Sequence, residues 1–180
     1  LGRSSVDPEK PPAIRRRVPN PMALNKRIGS SQPHGLIFWE QGKQILIFNR
    51  DGLYAHNVNA GAILWEHPWT KSTSYPRVAI PVLIPGDRII MSSGYGAGAA
   101  MLKISPSNGG KQSVEEIWTS LHLKSKFNNF VFKDGYIYGL DDGMFTCIDI
   151  ETGRRAWKKG RYGHGQLILV NDLLLLTAEN

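Results

Sequence analysis

The sequence predicts an all-β chain of repeated four-stranded sheets, and three observations predict it. A phrase ending in tryptophan recurs: Asn57, Gly61 and Trp65 return as Asp149, Gly153 and Trp157, each 92 residues later. A looser copy over 101–104, ending at Trp118, lies between them, so that Asn57, Lys103 and Asp149 are spaced 46 and 46. From His34 onward the chain is a series of short apolar runs broken by turn residues, with little helical period. Those runs fall into groups of four, and a fixed period of this size marks a repeat architecture. A radially repeated four-stranded sheet is a β-propeller blade. The expected fold is therefore a β-propeller fragment of about three and a half four-stranded blades over residues 34–180, behind an irregular lead-in over 1–33.

The first group of strands is read over 36–40, 44–49, 53–57 and 63–67. Gln41-Gly42-Lys43 turns its first pair and Arg50-Asp51-Gly52 its second. Asp-Gly is a strong hairpin signal because Gly takes positive φ without steric cost. The second group is read over 79–84, 88–92, 99–104 and 115–119, turned by Pro85-Gly86-Asp87, by the glycine-rich 94–98 and by a longer loop over 105–114. The third is read over 129–132, 136–140, 144–150 and 155–159, with turns at Lys133-Asp134-Gly135, Asp141-Asp142-Gly143 and Glu151-Thr152-Gly153. A fourth starts over 166–170, turns at Asn171-Asp172 and runs over 173–178. Phe145, Cys147 and Asp149 alternate with Thr146, Ile148 and Ile150, which fits a strand packed on both faces between neighbouring blades. The tryptophan of the outermost strand is expected to cover the joint to the next blade. Truncating such a buried ring typically costs about 3–5 kcal/mol. With no closing strand in view, the chain is expected to be a piece of a longer protein, with sheet edges that favour self-association.

Bulk composition narrows the class. The chain of 180 residues is 41% hydrophobic with mean hydropathy −0.27, and no apolar run approaches a membrane-spanning helix. Of the net charge of +7, +5 sits in residues 1–27, where Arg3, Lys10, Arg15, Arg16, Arg17, Lys26 and Arg27 face only Asp7 and Glu9. That segment is Pro-rich and reads as a solvated linker or arm, with phosphate or anionic lipid binding by Arg15-Arg16-Arg17 as the alternative. No nucleic-acid partner is expected. The single cysteine, Cys147, rules out an internal disulfide and reads as a buried, inert thiol.

Asp149, Thr152, Gly153 and Trp157 resemble, position by position, the repeat of the pyrroloquinoline-quinone-like (quinoprotein-like) β-propellers: an Asp, two variable residues, Thr-Gly, three variable residues and Trp. The first copy keeps Gly61 and Trp65 with Asn57 for the Asp, and the middle copy keeps Trp118. The stretches 92–102, 126–129 and 135–141 are similar to uncharacterised bacterial proteins of this class that planctomycete-type genomes carry. The resemblance covers roughly 34–180 and implies a periplasmic or extracellular location. It also implies two functional expectations. The first is a non-catalytic binding or scaffold module with a protein or polysaccharide partner, as in the related propeller lipoprotein that helps assemble outer-membrane proteins. The second is part of a quinone-dependent alcohol or sugar dehydrogenase, in which the quinone lies on the propeller axis. There a calcium or lanthanide ion is held by Glu, Asn and Asp, an Asp acts as base, and adjacent cysteines form a disulfide.

The residues themselves assign no catalytic group, no metal ligand and no evident cofactor. One cysteine cannot form the adjacent-cysteine disulfide, and no Glu/Asn/Asp set maps onto that metal site. Asp141 and Asp142 read as a turn. The run Gly94-Tyr95-Gly96-Ala97-Gly98 lacks the Lys-Ser/Thr of a phosphate loop, and nothing helical follows it. If a loop lines an axial pocket, Tyr95 and Gly96 are its candidates, together with His164 between Gly163 and Gly165. None of His34, His56, His67, His122 and His164 has metal-ligand spacing to another. The structural repeat residues are Trp65, Trp118, Asp149, Thr152, Gly153 and Trp157.

Overall fold

The computed structural model describes residues 36–39, 42–71, 77–106 and 112–179. The basic lead-in over 1–33, His34 and the middle of the 105–114 loop lie outside these residues. Fourteen strands and no helix make up the described chain: β1 (Leu36–Trp39), β2 (Gly42–Phe48), β3 (Gly52–Asn57), β4 (Ile63–Pro68), β5 (Val82–Ile84), β6 (Arg88–Ser93), β7 (Gly98–Ser105), β8 (Ser113–Ser120), β9 (Val131–Lys133), β10 (Tyr136–Asp141), β11 (Met144–Asp149), β12 (Arg155–Arg161), β13 (Leu167–Val170) and β14 (Leu173–Leu176). They form three four-stranded antiparallel meanders, β1–β4, β5–β8 and β9–β12, and the two-stranded sheet β13–β14. This is the all-β blade array of a β-propeller. Two innermost strands are shorter than the sequence implied. Pro81 has no N–H for a ladder, and Ile80 N donates instead to the Asn129 side chain at 2.9 Å, which holds both residues out of β5 and β9.

Side-chain alternation makes each blade two-faced. On β11, Phe145 and Cys147 pack toward β13–β14 with Leu167 and Leu176, while Ile148 packs toward the second blade with Ile90, Met101 and Ile137. Between the first and second blades, Leu46, Phe48, Leu53, Trp65 and Trp69 meet Ile89, Met91, Leu102 and Ile104. Each buried aliphatic or aromatic side chain contributes about 1.5–3 kcal/mol of transfer free energy, so the cores lie between the sheets. β5, β9 and β13 adjoin in turn, and β4 lies along β8.

The 46-residue period is written in backbone geometry. A register shift falls between Ala55 and His56, between Met101 and Leu102, and between Cys147 and Ile148. In each case the residue before the shift pairs with the tryptophan: Ala55 with Trp65, Met101 with Trp118, Cys147 with Trp157. Such β-bulges bend and twist the outer strand. The turns that follow share one hydrogen-bond pattern. Asp149 Oδ1 accepts from Glu151 N, Thr152 N and Thr152 Oγ1, and Gly153 N donates to Asp149 O. Asn57 Oδ1 accepts from Asn59 N and Ala60 N, and Gly61 N donates to Asn57 O, so the amide oxygen does the carboxylate's work. Gly61 and Gly153 both take φ +66.

That turn is where blades dock. Trp118 Nε1 donates to Ile150 O of the next blade at 3.0 Å, and its ring lies so close to Gly153 that a Cβ there would meet it at 2.7 Å. Ser120 Oγ donates to Gly153 O at 2.6 Å, and Arg88 holds Glu151 at 2.8 Å across the same joint. Trp65 is buried and donates to Gln44 Oε1, and Gln44 Nε2 donates to Gln112 in the second blade. Trp157 packs its ring against Phe145 and Tyr138.

Candidate functional site

Up-and-down topology sends the turns β2–β3, β6–β7 and β10–β11 and the linkers β4–β5, β8–β9 and β12–β13 to one end of the blades. Backbone contacts tie these loops together. Asp142 N donates to Lys124 O at 3.3 Å, and Tyr162 N to Gly143 O at 2.7 Å. Gly94 lies against Lys126 so tightly that a Cβ would meet it at 2.7 Å.

Two of the candidates named from sequence, Tyr95 and His164, meet on this face through a residue that sequence reasoning did not single out. The Phe127 ring stands edge-on to Tyr95 at 6.3 Å and to His164 at 5.5 Å between centroids. Lys126 Nζ lies 4.6 Å from the Tyr95 ring centroid and 5.4 Å from that of Phe127, within cation–π range of both. Gln166 Nε2 donates to Phe127 O at 2.9 Å and fastens the next linker to the ridge. His164 is thus packed rather than standing free; its backbone N donates to Glu179 Oε2 at 2.9 Å, and its Nδ1 is buried without a hydrogen-bond partner. Tyr95 remains 38% exposed and Phe127 39%.

Tyr95 holds a backbone conformation that its side chain disfavours. It takes φ +58, followed by Gly96 at +79, where the same turn in the next blade has Asp142 at +48 and Gly143 at +84. Asp and Asn enter the left-handed region readily, whereas a bulky residue there costs about 1–2 kcal/mol. Gly96 supplies the turn and has open space at its Cβ position.

Beside the ridge sits a buried carboxylate. Asp141 is fully buried, and its oxygens are bonded to the ammonium groups of Lys124 and Lys158 and to the Lys124 backbone N at 3.0 Å. The Asp-Asp-Gly run is therefore not a pair of exposed turn residues: Asp141 belongs to the core and Asp142 alone turns outward, paired with Lys124 at 3.4 Å. Burial pushes the Asp141 carboxyl up, but hydrogen bonds and charge from Lys124 and Lys158 outweigh it and hold the group below its ordinary value. Arg155 bonds His122 Nδ1 at 2.8 Å; burial, then the guanidinium, holds His122 below the usual imidazole range.

Among the described residues no group of three or more His, Cys, Asp or Glu side chains is arranged to hold a metal ion. The Asp141 oxygens already face two ammonium groups. Cys147 is buried behind Tyr138 and Trp157, and burial pushes its thiol up to about 12.

Comparison with protein-family models gives a match. The family model described as outer membrane protein assembly factor BamB matches residues 24–159. No curated protein matches the chain. Among solved structures, BamB from Moraxella catarrhalis is similar, with 12% identity and a TM-score of 0.35, over 69% of this chain and 51% of that one. The chain thus spans about half the length of that structure. No helix among the described residues is long and apolar enough to cross a membrane. That family model covers well over half of the sequence, and the chain belongs to the PQQ-like β-propeller repeat family described as outer membrane protein assembly factor BamB.

Proposed function

We propose that this chain is a non-catalytic binding or scaffold module that holds a protein partner on the loop face carrying Tyr95, Lys126, Phe127 and His164, in an envelope compartment such as the periplasm. One observation carries the reading: three loops from successive blades converge on a ridge whose Tyr95 and Phe127 rings stay exposed, while the buried ionisable groups nearby are neutralised by one another. Exposed rings beside a cation suit contact, and paired, buried charges suit rigidity. The family's description as an assembly factor supports the same role.

The test places a photo-crosslinking residue at Phe127, or at Asp134 on the opposite end of the third blade, and exposes each to an envelope extract. Crosslinks concentrated at Phe127 are expected. In parallel the quinone and calcium are added together to the chain. Unchanged tryptophan fluorescence and no dye reduction with alcohols are expected; quenching with alcohol-dependent dye reduction would replace this reading with the dehydrogenase one.

A further inference from the structure

We infer that the Tyr95–Lys126–Phe127–His164 ridge docks an acidic peptide segment bearing an apolar anchor. The inference rests on the binding role proposed above and specifies its partner. Four observations lead to it.

Tyr95 occupies the left-handed turn position at φ +58, yet its ring stays 38% exposed, so core burial does not compensate the strain. Strained residues that their own packing does not justify cluster at functional sites. Phe127 is similarly exposed, and Leu121, on the same linker, is exposed to 64%.

Four cations around the 121–127 linker fall into two sets. Lys124 and Lys158 are held by Asp141. Lys126 meets only rings, and Arg155 meets only the His122 imidazole; neither has a carboxylate partner among the described residues. The guanidinium can only donate, so His122 Nδ1 accepts from Arg155, and burial and that guanidinium keep His122 below its ordinary value.

Spacing sets the length of the partner. Residues 121–127 form one linker, with Leu121 and the Arg155–His122 pair at one end and Lys126 and Phe127 at the other. Bends at 121–122 and 126–128 keep the span below the about 25 Å of seven extended residues, so an extended peptide of fewer than seven residues crosses it. A shallow depression lined by Lys71, Ala97, Thr119, Ser120 and Leu121 adjoins the first end and suits one apolar side chain.

Ring geometry favours peptide over sugar or nucleobase. A sugar or base binds an aromatic residue by lying flat on its face. Lys126 Nζ already lies over one face of Tyr95 and of Phe127, so a stacked ligand would compete with the ammonium there. One carboxylate fits that ammonium, and a second one further along the peptide fits the Arg155 guanidinium.

The experiment measures fluorescence anisotropy of a fluorescein-labelled twelve-residue peptide of alternating Glu and Phe or Leu, titrated with the full chain. A control peptide carries Gln for Glu, and polygalacturonate serves as the anionic-glycan arm. The acidic peptide is expected to bind, with affinity falling as salt rises. Lys126→Glu, Phe127→Ala and Tyr95→Asn are each expected to weaken it about tenfold or more. Tyr95→Asn separates docking from structure, because its melting temperature is expected to hold or rise while binding falls. Equal binding of the Gln peptide, or displacement by polygalacturonate with the same residue dependence, overturns the inference. So does binding indifferent to all three substitutions. If crosslinks form at Phe127 but the acidic peptide does not bind, this inference falls while the scaffold role stands. If the chain instead shows quinone-dependent fluorescence and dye reduction, both fall.

Discussion

Gly153 shows how much one residue carries in this repeat. It takes φ +66 and lies under the Trp118 ring, so a methyl group there would be strained by its backbone and would strike the indole at 2.7 Å. Gly61 has the same φ but nothing within 4 Å of its Cβ position. Gly153→Ala is therefore expected to lower stability by about 2–3 kcal/mol, and Gly61→Ala by about 1, in urea unfolding followed by tryptophan fluorescence. Asp141 supplies a second test. Its folded-state value lies below the ordinary 3.8, so its contribution is fully present above that value and is lost as pH falls through the lower folded one. Lys124 and Lys158 are partly exposed, which tempers the penalty of losing the pair. Asp141→Asn is expected to cost about 2 kcal/mol at neutral pH. The gap between variant and parent should close as unfolding is repeated at pH values progressively further below 3.8; a gap that persists in acid would show that the carboxylate's charge is not what matters.

Elements act through the joint between blades. In the second blade, β8 brings Trp118 over the turn that follows β11, and the bulge at Met101–Leu102 aims the ring. Trp118→Phe keeps most of the apolar area and removes the bond to Ile150 O. The expected loss is about 1–2 kcal/mol, read as a shifted urea midpoint with unchanged slope. A changed slope would mean that the blades had come to unfold separately. The middle copy was the weakest in sequence, with Trp118 alone matching the consensus, yet its strand pairing repeats that of the other two. The period of 46 was legible because bulge and turn both require fixed spacing. The innermost strands were less so: a side-chain bond from Asn129, 49 residues away from Ile80, decides where β5 begins.

At the scale of the whole molecule, the array has more apolar surface than its own sheets cover. β13–β14 presents Ile168, Val170, Leu173 and Leu175 on the face opposite Leu167 and Leu176, all four exposed. A flat aliphatic face of this kind favours association. The chain as given is expected to show a mass by light scattering that rises with concentration, and Leu173→Lys with Leu175→Glu is expected to suppress it. A monodisperse, cooperatively melting monomer of the parent chain would contradict this. Such association would occur at a blade face, away from the ridge at the loop end, so it and peptide docking can be measured independently.

The amino-acid order by itself determined the blades. Alternating apolar residues, Asp-Gly turns and a tryptophan at fixed spacing are local devices, and each can be read within about a dozen residues. It also marked Tyr95 and His164 as loop residues of interest, and Cys147 as a thiol on a packed strand. Only the tertiary structure decided that Tyr95 and His164 share a ridge with Phe127, because each comes from a different loop and their meeting depends on how successive blades rotate about the hub. The same holds for Asp141. Its partners lie 17 residues to either side, and an Asp-Asp-Gly run reads as a solvated turn until folding brings two ammonium groups onto a carboxylate sealed from water.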